Sequence, residues 1–275
     1  MTAPEEIRSG VGLRKVQVLA LNADGYPNAS GTTAYEGVTI SGAVSLSMED
    51  PEPQQIVHRG DDNIFAIDVL PPTEPISAEL TVSKTNDDVD VVLTDDKSIT
   101  IGEAKLFGAG TDNRGDENQV CLIAYQQTLD TDPDSSNFGA RRWGMRLFPK
   151  AYVIPRESGF DQDTPTSRAY TIRPLFCTKY PWGVSFTTGT EGFVRAQVLR
   201  GVSQYKPKVV AFKSDGTTAR SDFPSTAPAA DTGKITVWVD GVESTPETVE
   251  TSGFEWTTGD IPTTNAMVVV FYEVE

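Results

Sequence analysis

An all-β fold is predicted by three observations on this chain of 275 residues. Apolar residues recur at every second position in its clearest segments. Glycine (23) and proline (18) punctuate those segments. Long amphipathic runs at helical spacing are scarce. The length suffices for one large or two small domains with a sizeable core.

The clearest strand runs from Val38 to Met48. Val38, Ile40, Gly42, Val44, Leu46 and Met48 fall on one face; Thr39, Ser41, Ala43, Ser45 and Ser47 fall on the other. Such alternation predicts a half-buried antiparallel strand, and its second face is small, hydroxyl-rich and uncharged. Ile76 to Ser83 repeats the pattern, with Ile76, Ala78, Leu80 and Val82 opposite Ser77, Glu79, Thr81 and Ser83. Asn86-Asp87-Asp88 then reads as a hairpin turn, with apolar spacing resuming through Val89, Val91, Val92 and Leu93. Ile64–Val69, Val120–Tyr125 and Met145–Ile154 add strands, and Pro149 places the last at a sheet edge or a bulge. A helix over Val120–Leu129 is the alternative there, resting on Gln126 and Gln127. Asp130 to Phe138 reads as a polar loop.

After Tyr205 the character changes. Lys208–Lys213 reads as a strand, Asp215-Gly216 as a turn, and Pro224 to Gly233 as a linker-like stretch. Ile235, Val237 and Val239 alternate into a turn at Asp240-Gly241, and Met267–Val274 closes the chain as a strand. The predicted division is therefore a β-domain over 1–204 and a small β-module over 205–275, the module separable from the rest.

Charge is unevenly placed. Residues 1–140 hold 24 acids and 8 bases, residues 141–220 hold 5 acids and 14 bases, and residues 221–275 hold 10 acids and one base. Blocks of opposite sign suit pairing between copies of the same chain. No run of about 18 apolar residues occurs, so no helical membrane span is expected. The acidic start, Met1 to Glu6, is not read as a secretory signal. Cys121 and Cys177 sit beside Leu122 and Phe176 and read as buried thiols of a chain made in a cytoplasm.

No catalytic constellation emerges. His58 is the only histidine, and it lacks a Gly-x-Ser-x-Gly elbow or a flanking cysteine signature. Asp130, Asp132 and Asp134 open like a calcium loop, but Ser135 stands where glycine is needed and Arg141 where glutamate is needed. Gly108-Ala109-Gly110 lacks the third glycine of a nucleotide cradle. Trp143, Trp182, Trp238 and Trp256 are scattered and read as core or interface anchors rather than as a sugar platform beside paired acids. No enzyme activity, cofactor or metal is expected.

Several segments, in order, resemble the major tail (tail tube) protein family of long-tailed bacteriophages. They are Gly12 to Val18 with Asn22 to Pro27, Gly37 to Gly42, Gly60-Asp61-Asp62, Trp143 through Pro155, Tyr170 to Pro174, and Pro181 to Val184. The likeness spans residues 10–193, and its strength is the succession of strand and turn patterns rather than any single motif. It implies a β-sandwich or barrel that forms hexameric rings stacked into a hollow, DNA-conducting tube. It also implies a small Ig-like module at the C-terminus, decorating the outside. The implied partners are other copies of the chain, tape-measure, tail terminator and baseplate or distal tail proteins, and passing DNA that is not tightly bound. The implied location is the virion tail, after assembly in the host cytoplasm.

A DNA conduit must not hold its cargo, and Lys and Arg are what bind phosphates. Thr39, Ser41, Ser45, Ser47 and Glu79 are therefore the expected lumen-facing residues. The competing readings are a capsid decoration or host-adhesion β-domain protein, and a carbohydrate-active enzyme.

Overall fold

The computed structural model describes residues 8–49, 54–60, 63–70, 76–83, 87–94, 97–102, 104–108, 119–131, 133, 138–156, 167–175, 177, 199–203 and 205–274. The all-β expectation holds. The first part of the chain contains β1 (Arg8–Ala20), β2 (Val38–Ser41), β3 (Ala43–Glu49), β4 (Gln54–Gly60), β5 (Asn63–Leu70) and β6 (Ser77–Val82). A helix, α1 (Asp87–Thr94), precedes β7 (Lys97–Ile101), β8 (Ala104–Gly108), β9 (Val120–Asp130), β10 (Arg141–Pro155), β11 (Arg168–Pro174) and β12 (Leu199–Ser203).

Eight of these strands make one sheet in the order β2-β1-β9-β10-β11-β6-β3, with β12 lying along β10. All its pairings are antiparallel. The two ends of that order, β2 and β3, are successive pieces of one segment, parted only by Gly42 at φ +88°. The sheet thus turns back on itself at this corner, bringing β3 beside β1, and wraps around a core. The single strand expected from Val38 to Met48 is in fact this corner: its first half pairs with β1 and its second with β6. A side chain at Gly42 would strain that positive φ, which explains why glycine interrupts the run.

The enclosed core gathers the inward residues of every strand: Val16 and Val18, Ile40, Leu80 and Val82, Leu122 and Ala124, Phe148 and Val153, Tyr170 and Ile172. Helix α1 covers it, lying against β1, β2 and β10 and burying Val89 and Leu93. Residues 87–94 were expected to turn and resume a strand, and they form a helix instead. Val89, Val92 and Leu93 are spaced three and four apart, so one helical face meets the core.

The helix considered over Val120–Leu129 is a strand, β9, central in the sheet and paired with both β1 and β10. Pairing on both sides buries it continuously from Val120 to Tyr125 and overrides the helical preference of Gln126 and Gln127. Asp130 ends this strand rather than opening a loop. Along β10 the register against β9 shifts between Phe148 and Ala151, a bulge that accommodates Pro149 within a strand paired on both sides.

The rest of the chain holds β13 (Lys206–Lys213), β14 (Arg220–Asp222), β15 (Thr236–Val239), β16 (Val242–Ser244), β17 (Thr248–Glu250), β18 (Gly253–Glu255) and β19 (Met267–Val274). They form two facing sheets, β13-β19-β15-β16 and β14-β18-β17. Asp240 and Gly241, both at positive φ, close the tight β15–β16 hairpin. Between the sheets lie Val210, Phe212, Phe223, Val237, Phe254, Trp256, Val268, Val270 and Tyr272. Phe223 stacks on Tyr272 with ring centroids 4.3 Å apart, and Phe212 meets Phe254 edge-on at 5.9 Å.

The larger of these sheets is also buried on its other side. Val209, Ala211, Met267 and Val269 pack against Leu19, Cys121, Ile123, Tyr125 and Leu147 on the outer face of the barrel. Two antiparallel backbone bonds join Tyr35 to Ala211, and Lys213 N–H donates to the Gly31 carbonyl at 2.8 Å. Both cysteines lie in this seam, buried and without a disulfide. Burial raises the Cys121 thiol well above its ordinary pKa, with Cys177 adding to the effect.

Candidate functional site

Three surfaces of this body stand out. The first is the outer face of the barrel on β3, β6 and β11. The register sets Ser45 opposite Thr81 and Ser47 opposite Glu79, and Glu79 lies opposite Thr171 on the next strand. Since alternate residues share a face, these side chains form one strip rich in hydroxyls. Its acid is matched: Glu79 Oε1 lies 3.0 Å from Arg156 Nη1, and Arg156 Nε donates to Thr171 Oγ1 at 3.1 Å. Both partners are substantially exposed, so the pair orders the side chains more than it stabilises the fold.

Of the five residues expected to line a lumen, the structure gathers Ser45, Ser47 and Glu79 on that strip. Thr39 lies beyond the Gly42 corner, opposite Gln17 on β1. Ser41 stands opposite Lys15, with its side chain outside the described residues. The same holds for the side chain of His58, and Gly60-Asp61-Asp62 is described only at Gly60.

The second surface is the β4–β5 hairpin, a two-stranded sheet apart from the barrel. The register pairs Val57 with Ile67 and Gln55 with Val69 on one face, and Ile56 with Asp68 on the other. Exposure of these apolar residues is 39% for Val57, 51% for Ile67, 60% for Val69, 45% for Ile56 and 41% for Leu70. Apolar side chains are therefore uncovered on both faces. The β7–β8 hairpin is alike, with Ile99 and Ile101 more than 60% exposed. Isolated two-stranded hairpins are marginal in water, and clustered exposed apolar residues mark contact surfaces. Ile64–Val69 was expected as a strand, but its exposure was not. The alternation of Gln55 and Val57 before Gly60-Asp61-Asp62 is the signal that would have found the hairpin.

The third surface is the polar rim of the seam between barrel and sandwich. Gln17 is 4% exposed, and its Nε2 donates to the carbonyls of Glu36 (2.8 Å) and Val209 (3.0 Å). Tyr125 Oη donates to Gln17 Oε1 at 2.8 Å. Lys208 Nζ meets Glu36 Oε2 at 2.6 Å. Lys206 lies over the rings of Tyr125 and Trp143, 5.4 and 5.9 Å from their centroids. Burial first, and then the neighbouring Lys15 and Lys208, lower its pKa to about 8. The geometry is that of a fitted joint whose amine gives up its proton more readily than a free lysine.

No group of three or more His, Cys, Asp or Glu residues is arranged to hold a metal among the described residues. No helix among them is long and apolar enough to cross a membrane. No family model matches the chain, and no curated protein matches it either.

Proposed function

We propose that this protein is a structural, non-catalytic subunit that assembles with copies of itself into stacked rings, forming the hollow tail tube of a long-tailed bacteriophage. The observation that carries the assembly reading is the β4–β5 hairpin. Its Val57, Ile67 and Val69 on one face, and Ile56 and Leu70 on the other, are left 39–60% exposed. A neighbouring copy supplies the missing cover, and strand pairing at a hairpin edge is a common way to provide it. The tube reading is supported by the ordered resemblance of residues 10–193 to that family, and with it go a location in the virion tail and tape-measure, terminator and distal tail proteins as proposed partners.

In that tube the β3-β6-β11 strip is the surface offered to passing DNA. Its hydroxyls and its Glu79–Arg156 ion pair add no net charge; although Arg173, exposed on the same face of β11, has no ion pair among the described residues, the strip offers the phosphates little for counterion release. The strip is thus rich in hydroxyls and weakly charged rather than strongly acidic.

Sedimentation velocity across a concentration and salt series, with negative-stain microscopy of the same samples, tests the reading. Rings or tubes are expected, weakening but persisting as salt rises, because screening acts on the charged blocks and not on apolar contacts. The double substitution Ile67→Asp with Val69→Asp should leave the chain monomeric. A wild-type chain that stays monomeric in every condition defeats the proposal and favours a decoration or adhesion module.

A further inference from the structure

A cavity of about 340 Å³ opens on the barrel, lined by Gly12, Leu13, Ser45, Leu46, Ala124, Gln126 and Arg146. Leu13, Leu46 and Ala124 give it an apolar wall, and Gln126 gives it an amide. Arg146 comes from β10, opposite Ala124 on β9. It is half-buried, and it has no hydrogen bond or ion pair among the described residues. Its backbone register partner on the other side is Arg200 of β12, and Arg142 lies four residues along β10 on the same face.

The lining selects among anions. A planar guanidinium matches a carboxylate through two parallel hydrogen bonds. The leucine and alanine wall suits a short aliphatic stem better than a strongly hydrated phosphate. We propose that this cavity is a carboxylate socket, filled in the assembled protein by an acidic side chain from a second copy of this chain. The occupant follows from composition: the chain carries 39 acids against 23 bases, and residues 221–275 hold ten acids with one base. The occupant rests on the self-assembly reading; the socket does not.

Glutarate, a carboxylate on an aliphatic stem, is the probe. It is titrated against the full chain, Arg146→Gln and Arg146→Lys, with chloride at equal ionic strength as the reference. The wild-type Tm should rise by about 3–5 °C at ten times the glutarate Kd. The rise should be lost in Arg146→Gln and reduced in Arg146→Lys, which keeps the charge but not the fork. Arg146→Lys carries the comparison if Arg146→Gln does not fold. In sedimentation the same glutarate should shift wild-type assemblies toward monomer, because it competes for the socket. An equal Tm response in wild type and both variants overturns the site. A response that depends on Arg146, with assemblies untouched by glutarate, overturns the second copy as occupant. If the wild type never assembles while glutarate still acts through Arg146, the assembly reading fails and the carboxylate site stands.

Discussion

Two antiparallel strand pairs in this protein have similar local character and opposite surroundings. In β13–β19, Val209 faces Phe271, Val210 faces Val270, Ala211 faces Val269 and Phe212 faces Val268. Both faces of that pair are covered, one by the barrel and the other by the second sheet of the sandwich. In β4–β5, Val57 faces Ile67, yet apolar residues on both faces remain open to solvent. Each fully buried side chain of the first pair contributes about 1.5–3 kcal/mol to the fold. Those of the second contribute little until something covers them. The difference teaches that strand-forming sequence and folding energy are separate matters, and the uncovered pair is what the proposed self-association would cover.

The most severe way to break this comparison is to remove the covered pair. A chain ending at residue 204 leaves Leu19, Cys121, Ile123, Tyr125 and Leu147 without their cover. It should precipitate or lose its cooperative melt, although composition alone had suggested a separable module. Solubility and calorimetry decide the point, and a truncated chain that melts cooperatively near the full-length Tm refutes the shared seam.

Gln17→Ala is the next largest change. It strips one buried and one part-buried carbonyl of a donor and leaves the Tyr125 hydroxyl without its acceptor. A loss of about 2–4 kcal/mol is expected in denaturant unfolding.

Lys206 sharpens the picture of the seam through pH. Its folded pKa of about 8 lies below the ordinary lysine value of 10.5. Between those values the unfolded chain binds more protons than the folded one, so this group makes stability rise with pH. Below pH 8 the amine is charged in both states, and its unfavourable burial is fully felt. Tm measured from pH 7 to 10 should therefore climb less in Lys206→Met than in wild type. An identical climb in the two proteins would remove Lys206 as its source.

The smallest stability effect belongs to the exposed pair. Ile67→Asp with Val69→Asp should change unfolding free energy by no more than about 0.5 kcal/mol per site, while abolishing self-association. A large loss of stability in the monomer would mean that the hairpin is packed within its own chain.

Much of this architecture was legible. Met267–Val274 and Lys208–Lys213 read as strands because their apolar runs are uninterrupted, and the bulge at Pro149 follows from a missing N–H. Residues 87–94 misled because three aspartates beside valines resemble a turn and strand as readily as a helix. Among the expected lumen residues, Ser45, Ser47 and Glu79 share a strip because they lie on paired strands in register, whereas Thr39 falls on the other side of a corner that one glycine creates.

By itself, then, the sequence determined the local state of the chain: strands where side chains alternate, the turn at Asp240-Gly241, and blocks of opposite charge. Those follow from sterics and periodicity, which act over a few residues. Only the tertiary structure decided which strands meet, that β2 and β3 close a barrel, that the sandwich is seated on it through Gln17 and Tyr125, and that Arg146 lines a cavity. Such pairings join residues up to 192 positions apart, as Gln17 and Val209 are, and no local pattern carries the identity of a partner that distant.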